Sequence, residues 1–249
     1  MRAIVTYHSI DTSGSPISVT PQALGRQLAW FVSAGVRVVS VDELLAAGDR
    51  DRHAVALTFD DAYASVMNEA VPLLDAHGLV ATLFVVTRSV GSINTWNVPA
   101  RDRIPELPLL GWDDLGRLAE RGFVIASHGR THRRLSRLSV GEMEDEVGGA
   151  ADDLRRWLGQ PPVGLAYPYG DVSSEVQAVA SRHCQWACTT ELRELDDECA
   201  LRLPRIDMWY FSRRGLLESW GTPRFRRWVR RRHRLRRIRA AIGGFVGSR

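Results

Sequence analysis

Two histidines, His128 and His132, lie four residues apart in the stretch VIASHGRTHRRLS (124–136), directly after an apolar run that is typical of a β-strand. Imidazole nitrogens are common metal ligands, but two histidines at this spacing also occur by chance in an arginine-rich surface loop. A catalytic metal site needs at least one carboxylate, a base and a fold that brings them together. The pair therefore indicates a metal site only if the rest of the chain supplies these groups.

Two adjacent aspartates, Asp60 and Asp61, end a second apolar run in the stretch LTFDDAY (57–63). Acids in such a place are common as the N-cap and first-turn residues of a following helix. Alternatively, one carboxylate binds a metal while its neighbour acts as a base. Two imidazoles and a carboxylate form the three-ligand set of a catalytic zinc site, with a position open for water. Beside His128 and His132, the aspartates favour this second interpretation.

The residues between the two histidines exclude the helical metalloprotease motif. That motif, H-E-x-x-H, places a glutamate between the ligands as the base. Here Gly129, Arg130 and Thr131 stand between the histidines, and Gly129 makes a regular helix less favourable. The base must therefore come from elsewhere in the chain, and the aspartate pair can supply it.

The elements that must position these side chains alternate between β-branched runs and helical patterns. Strands are predicted at 3–8, 37–41, 54–60, 81–86, 123–127, 164–167, 186–190 and 203–208. Helices are predicted at 20–35, 41–48, 62–77, 112–121, 139–158 and 173–183, with a long irregular connection at 87–111. This order indicates an α/β fold with a parallel sheet covered on its faces. Seven or eight such units favour a closed or partly closed barrel over an open sheet.

The active site of a β/α barrel is built at the carboxyl ends of its strands. Polar residues stand where the predicted strands end, and they are His8, Asp60, Asp61, His128, His132, Tyr169, Asp171, Arg205 and Asp207. Residues far apart in the sequence are thereby predicted to converge on one rim of the barrel.

The stretches LTFDD, SHGRTHRRLS and AYPYGD occur in this order, with YHSI near the start of the chain and LPRID late in it. Together they resemble the polysaccharide deacetylases of the NodB-homology group, carbohydrate esterase family four, over residues 3–208. The resemblance implies a distorted (β/α)7 TIM-like barrel. It also implies a metal-dependent hydrolase that removes N-acetyl groups from an amino sugar of a polysaccharide or a lipid-linked glycan precursor.

The same resemblance assigns roles to individual residues. It makes Asp61, His128 and His132 the ligands of a divalent metal, for which Zn²⁺ is expected, and Asp60 the catalytic base. The backbone N–H of Tyr169 is expected to stabilise the oxyanion together with the metal. A divalent ion lowers the pKa of bound water, so that Asp60 can take its proton before the attack on an acetamide carbonyl.

The sequence departs from the family pattern in three places. Ala62 replaces the glycine that usually follows the two aspartates. Ala166 stands where the family usually has an arginine that pairs with the base, and Arg205 is the candidate replacement, with a structural ion pair as the alternative. The late Leu-x-His that supplies the general acid is absent. His8 is therefore expected to protonate the leaving amine or, alternatively, only to hydrogen-bond the ligand residues.

Several further residues near the predicted rim have two interpretations each. Trp96, Trp112 and Trp209 lie in or near rim loops, where an aromatic ring can either stack on a sugar or pack in the core. Ser127 and Thr131 are expected to orient the metal ligands, and for Thr131 a loop-capping hydroxyl is an equally good interpretation.

Charge divides the chain into a predicted barrel domain at 1–211 and a basic tail at 212–249. The tail has 13 arginines and one acidic residue, whereas the remainder has 20 arginines and 28 acidic residues. Apolar residues recur in the tail at helical spacing: Phe225, Trp228, Val229, Leu235, Ile238, Ile242 and Phe245. Such a basic amphipathic helix is predicted to bind an anionic membrane surface through residues 224–245. A disordered basic end and nucleic-acid binding are the alternatives, and the acidic barrel opposes the latter.

The composition suits one globular domain, since 45% of the 249 residues are hydrophobic. The sequence shows no secretory signal pattern and no apolar run of about 18 residues, which predicts a cytoplasmic protein, peripheral on the inner face of the cell membrane. Its three cysteines are odd in number and fit reduced thiols. A related amidase or O-acetyl esterase, or an inactive scaffold of a membrane-associated glycan-assembly complex, are the alternative functions.

Overall fold

Eight parallel strands form the main sheet of the protein. The computed structural model describes residues 1–48, 53–96, 104–196, 199–213 and 215–246. The strands are β1 (Ala3–Tyr7), β2 (Arg37–Val39), β3 (Ala54–Phe59), β4 (Thr82–Val85), β5 (Val124–Ser127), β6 (Gly164–Ala166), β7 (Trp186–Cys188) and β8 (Arg205–Asp207). Two further strands of two residues each, Ser9–Ile10 and Ser18–Val19, pair with each other.

Seven of these strands form a nearly closed barrel, in the order β8, β1, β3, β4, β5, β6, β7. The ring approaches closure through a parallel bridge between Cys188 of β7 and Leu203, two residues before β8. The strand β2 pairs with the first half of β3, and β4 pairs with its last two residues. The predicted α/β barrel of the (β/α)7 type is thereby confirmed, with β2 as an additional strand.

Helices connect the strands on the outside of the barrel. They are α1 (Pro21–Ser33), α2 (Val41–Ala47), α3 (Val71–Asp75), α4 (Trp112–Glu120), α5 (Val140–Leu158), α6 (Ser174–Ala180) and α7 (Pro223–Val246). Hydroxyl groups cap five of them, because each accepts a hydrogen bond from the third residue of the helix that follows; these caps are Thr20, Ser40, Ser139, Ser173 and Thr222. No helix within the described ranges is long and apolar enough to cross a membrane.

The predicted helix at 62–77 begins later than its pattern indicated. Asp61 and Ala62 have left-handed backbone conformations, with φ of 68° and 53°, so the chain turns before it can become helical. A π-helical turn at Val66–Ala70 then leads into α3. Residues 60–63 therefore form a tight loop at the barrel rim, and the helical conformation begins at residue 64, two residues later than the sequence pattern predicted.

Alternate side chains of the strands point into the barrel and close its interior. The interior cluster contains Ile4, Ala56, Phe84, Ala126, Ala166 and Trp186. Trp186 takes most of the space beside Gly164, because a Cβ atom on that glycine would lie 2.2 Å from the indole ring. The barrel is thus a packed core, and space for a ligand remains only at its ends.

The first turns of α7 pack on the barrel. Phe225 and Val229 are buried in the same core cluster as Phe31 of α1 and Trp220. Further along the helix, Leu235 and Ile238 are exposed, and the side chains of Ile242 and Phe245 lie outside the described residues. The division of the chain at residues 211 and 212 stays a prediction, but the helix and the barrel share apolar contacts.

Candidate metal centre and active site

The aspartate pair stands at the carboxyl end of β3, one of the central strands. The N–H of Asp60 donates to the carbonyl of Tyr7 at 2.9 Å, which extends the β1–β3 pairing by one residue. The left-handed conformation of Asp61 then turns its side chain away from that of its neighbour. An L-residue in this region costs about 1–2 kcal/mol, and such strain is typical of functional sites. Both carboxylates are buried.

The two histidines bring three ligand atoms together with Asp61. Nδ1 of His128 lies 2.7 Å from the carbonyl oxygen of Ala166, which orients Nε2 towards the aspartate. Nε2 of His128 and Nε2 of His132 lie 3.5 and 3.6 Å from the same Oδ1 of Asp61. The three ligand atoms of these residues lie within 4.8 Å of one another. The structure therefore brings the predicted metal ligands together.

The chemistry of this cluster fits a divalent metal. Oδ1 of Asp61 is buried and accepts no hydrogen bond from the described residues, although it faces both imidazoles. Ligand atoms about 2.1 Å from a tetrahedral zinc ion lie about 3.4 Å from each other, close to the 3.5 and 3.6 Å that separate Oδ1 of Asp61 from the two imidazole nitrogens. Burial raises the pKa of Asp61, and a bound cation would offset that penalty. Two imidazoles and one carboxylate leave a position for water.

Asp60 forms a buried bidentate pair with Arg205 of β8. Nη1 and Nη2 of the arginine donate to Oδ1 and Oδ2 of the aspartate at 2.5 and 2.8 Å. The guanidinium also donates to the carbonyl of Thr189 at 3.0 Å. Burial acts to raise the pKa of Asp60, but the charge of Arg205, with His128 and His8, outweighs it and holds that pKa well below its usual range. The arginine proposed to replace the one absent at Ala166 makes the expected contact.

His8 and Tyr169 complete the rim around the two carboxylates. Nε2 of His8 lies 3.6 Å from Oδ2 of Asp60, and the histidine side chain is 26% exposed, so that it is open to a ligand. Tyr169 lies in the turn Pro168–Gly170 after β6 with a left-handed φ of 61°, and its ring centroid lies 4.6 Å from that of His132. Both residues are at the predicted place, while their roles as acid and oxyanion donor stay predictions.

The residues at the site that the sequence did not reveal are Tyr63, Asn94 and Glu146. The hydroxyl of Tyr63 hydrogen-bonds Asp61 and accepts from Nδ2 of Asn94 at 3.1 Å. Tyr63 stands two residues after Asp61 in the stretch LTFDDAY, and this position is the one signal that could have found it. Asn94 comes from the long connection at 87–111, of which residues 97–103 lie outside the described ranges.

Glu146 of α5 holds the loop between the two histidines. Its buried carboxylate accepts the backbone N–H groups of Arg130 and Thr131 at 3.1 and 2.9 Å, and the hydroxyl of Thr131 donates to it as well. Thr131 thus hydrogen-bonds Glu146 within the loop between the histidines, and whether it orients the metal ligands stays a prediction. Ser127 similarly accepts the N–H of Gly129 at 3.2 Å.

The three rim tryptophans differ in their surroundings. The ring of Trp96 lies 4.8 Å from that of His132, centroid to centroid, so this indole stands at the site. Trp112 stacks on Trp157 at 5.4 Å, and Trp209 contacts Tyr210 edge to face. Of the three, Trp96 is the one whose ring contact is with a proposed metal ligand.

Comparison with known proteins places this site in a family. A family model described as polysaccharide deacetylase matches residues 47–184, more than half of the chain. The chain belongs to the polysaccharide deacetylase family. The matched segment contains the aspartate pair, both histidines and the turn with Tyr169, whereas His8 and Arg205 lie outside it.

Individual relatives are distant. The protein YxkH of Bacillus subtilis is 25% identical over 193 residues, which are 76% of this chain and 64% of the relative. The poly-β-1,6-N-acetyl-D-glucosamine N-deacetylase of Staphylococcus epidermidis is 24% identical over 217 residues, 82% of this chain and 72% of that enzyme. The chain thus spans less than two thirds of the length of YxkH.

Solved structures of the family share the fold. The Streptococcus pyogenes deacetylase PplD, solved with acetate, aligns with a TM-score of 0.71 at 22% identity and covers 82% of this chain and 91% of its own. IcaB from Ammonifex degensii aligns with a TM-score of 0.69 at 20% identity, covering 84% and 94%. At these identities the likeness supports the barrel architecture.

Proposed function

We propose that this protein is a metal-dependent hydrolase that removes N-acetyl groups from an amino sugar of a polysaccharide or a lipid-linked glycan precursor. The observation that carries the proposal is the convergence of Asp61, His128 and His132 beside a second, ionised carboxylate, Asp60. Family membership supports it, as does the named activity of the Staphylococcus epidermidis relative. A catalytically inactive scaffold would have no need for this complete set of groups.

The proposed roles in the reaction are metal binding and proton transfer from water. Asp61, His128 and His132 would hold the metal, for which Zn²⁺ suits the ligand set. A divalent ion in such a site supplies Lewis acidity, which polarises a carbonyl and makes a water molecule more acidic. Asp60 accepts the proton of the attacking water, because Arg205 keeps its carboxylate ionised at neutral pH.

The remaining rim residues act on the substrate. The N–H of Tyr169 is proposed to donate to the oxyanion that forms from the acetamide carbonyl. His8, which is partly exposed and adjacent to Asp60, is proposed to give a proton to the nitrogen of the leaving amine. Acetate and a free amino sugar would then be the products. An amidase or O-acetyl esterase would use the same groups on a different acyl substrate.

The test combines metal analysis with product analysis on the full-length protein. We expect the purified protein to carry about one divalent ion per chain and to release acetate from N-acetylated oligosaccharides, with a new free amine. Release of an alcohol instead would identify an O-acetyl esterase. Absence of acetate release from metal-loaded protein on the whole panel would refute the proposal.

Substitutions separate the two carboxylates. Asp61→Ala, His128→Ala and His132→Ala should each lose the bound metal and the activity while the barrel still folds. Asp60→Asn should keep the metal and lose most turnover. If Asp60→Asn lost the metal and Asp61→Asn kept it, the roles of the two aspartates would be reversed.

Attachment to the inner face of the cell membrane is also proposed, through the arginines of α7. Ten arginines lie between residues 224 and 239, and each near an anionic surface contributes about 1 kcal/mol. Phe225 and Val229 are buried against the barrel, so only apolar residues further along the helix are open to lipid. Co-sedimentation with anionic but not neutral vesicles, weakened by salt, would support the proposal. Binding to duplex DNA without vesicle binding would refute it.

A further inference from the structure

A groove of about 490 Å³ opens beside the metal centre, along the segment that follows His132. His132 itself lines the groove, together with Tyr169 and Trp96. A molecule bound in this groove would therefore lie directly against one of the proposed metal ligands. A glycan whose acetylated sugar reaches the metal centre would therefore extend along this groove.

The charge of this groove is positive. Arg133, Arg134 and Arg137 all line it. Arg133 is compensated by Glu142, whose Oε1 lies 3.0 Å from its Nη2. Arg134 and Arg137 are exposed, and neither forms a salt bridge within the described part of the chain. As far as the described residues go, two guanidinium groups therefore face the groove without a salt-bridge partner.

Arg134 is held in place rather than free in solvent. Its guanidinium carbon lies 4.2 Å from the ring centroid of Tyr169, a cation–π contact. The same ring lies 4.6 Å from that of His132. The stack leaves the N–H groups at the edge of the guanidinium plane available, and that edge matches a carboxylate or phosphate through two parallel hydrogen bonds.

The nearby acid, Asp171, forms no salt bridge with Arg134 or Arg137 within the described part of the chain. The carboxylate of Asp171 accepts the N–H and the hydroxyl of Ser136, both at 2.9 Å, and is thereby engaged with the backbone of the arginine-bearing loop. On the other wall, the indole of Trp96 offers an apolar face beside His132. One wall thus suits a sugar ring and the other suits a negative charge.

We propose that the substrate is an anionic glycan, in which a carboxylate or phosphate on the sugar next to the acetylated residue is bound by Arg134 and Arg137. The acetylated ring lies against Trp96 while the negative group lies over the Tyr169–Arg134 stack. This inference rests on the proposed deacetylase function and specifies its substrate class. The two sources of negative charge, a uronate and a sugar phosphate, present the same chemistry to the arginines.

The experiment compares three N-acetylated oligosaccharides that are matched except for the neighbouring sugar, which is neutral, a uronate or a sugar phosphate. We expect the wild-type protein to favour an anionic substrate in kcat/KM by about tenfold or more, with the difference mainly in KM and weakened by salt. In Arg134→Gln combined with Arg137→Gln, this preference should fall about tenfold. Arg134→Lys should retain part of it. Arg155→Gln, which removes an equally exposed arginine that pairs with Asp152 on α5, should retain all of it.

A binding measurement separates this inference from the proposed function. Calorimetric titration of chelator-treated protein with the same three oligosaccharides reports recognition without hydrolysis. Tighter binding of an anionic oligosaccharide that is lost in the double variant supports the anionic groove, even if no substrate releases acetate. Two results would overturn the anionic groove. One is equal binding and equal kcat/KM of the wild-type protein for neutral and anionic substrates, and the other is an equal loss on both kinds of substrate in the double variant. Neither result would contradict a measured deacetylase activity.

Discussion

The pair between Asp60 and Arg205 makes a sharp prediction about stability. Its side chains are 4% and 1% exposed, and two short hydrogen bonds join them. The substitution Arg205→Met keeps a side chain of similar length but removes the charge and all donors. A buried carboxylate that loses its partner costs about 3–5 kcal/mol. We therefore expect the free energy of unfolding at pH 7 to fall by about that amount.

The pH dependence of this loss has a defined sign. The pKa of Asp60 is lowered in the folded protein, whereas an aspartate in an unfolded chain has a pKa of about 3.9. The pair therefore stabilises the folded state fully above that unfolded value, and its contribution declines as pH falls towards the folded value. At pH 3 the difference between wild type and Arg205→Met should be smaller than at pH 7 by at least about 1 kcal/mol.

Urea unfolding followed by circular dichroism measures both quantities, with a chelator present so that metal binding does not contribute. The matched control is Arg202→Met, because Arg202 pairs with Glu191 at the surface, where the side chains are 51% and 27% exposed. That substitution should cost less than about 1 kcal/mol. A loss below about 1 kcal/mol for Arg205→Met, or a loss that does not shrink at pH 3, would refute the view of Arg205 as the compensating charge.

Three further predictions concern other parts of the molecule. His8→Ala should lower kcat on an amide by about 10²–10⁴ and much less on an activated acetyl ester, whose leaving group needs no proton; equal losses in the two assays would assign His8 to binding or structure. Glu146→Gln should weaken zinc affinity by about 10–100-fold, because Glu146 holds the loop between the two histidines. Competition with a chromophoric chelator measures this affinity, and an unchanged value would contradict the role of Glu146 in positioning the ligands. Phe225→Ala should lower the free energy of unfolding in urea by about 3–5 kcal/mol, because Phe225 is buried, and Leu235→Ala should lower it by less than about 0.5 kcal/mol, because Leu235 is 42% exposed. Similar small losses for both variants would show that the packing of α7 on the barrel does not contribute to stability.

Much of the site could be predicted because the barrel places every strand end on one rim. Once the strands ending at Asp60 and Ser127 were identified, convergence of the aspartates and histidines followed from the architecture. This prediction needed the order of the strands and no side-chain geometry. Arg205 is predicted only as the replacement for an arginine whose usual position is occupied by Ala166. It is the first residue of β8, beside Ile4 of β1, so its side chain reaches Asp60 from within the barrel and not from the end of a strand.

The remaining features of the site and fold depend on contacts between different elements and on local backbone angles, which the periodicity of the sequence does not reveal. A helical pattern shows which face of α5 is buried, but it does not show that Glu146 on that face meets the loop at Thr131. The apolar stripe beginning at Phe225 has the spacing of a helix face, and the same spacing fits a membrane surface or a protein core. The start of helix 62–77 was misplaced because residue type alone does not reveal a left-handed alanine at position 62.

The position of β8 late in the chain has a consequence for how the protein folds during synthesis. Arg205 lies 145 residues after Asp60, so a chain emerging from the ribosome carries the carboxylate of Asp60 without its partner until its last barrel strand has been made. Until β8 joins β1, the edge of β1 is open as well. Closure must therefore be late and dominated by contacts between distant residues, which favours slow folding. A nascent chain or fragment that stops before β8 would contain the proposed metal ligands but lack the arginine that compensates Asp60, so that the site is assembled only when β8 has been made.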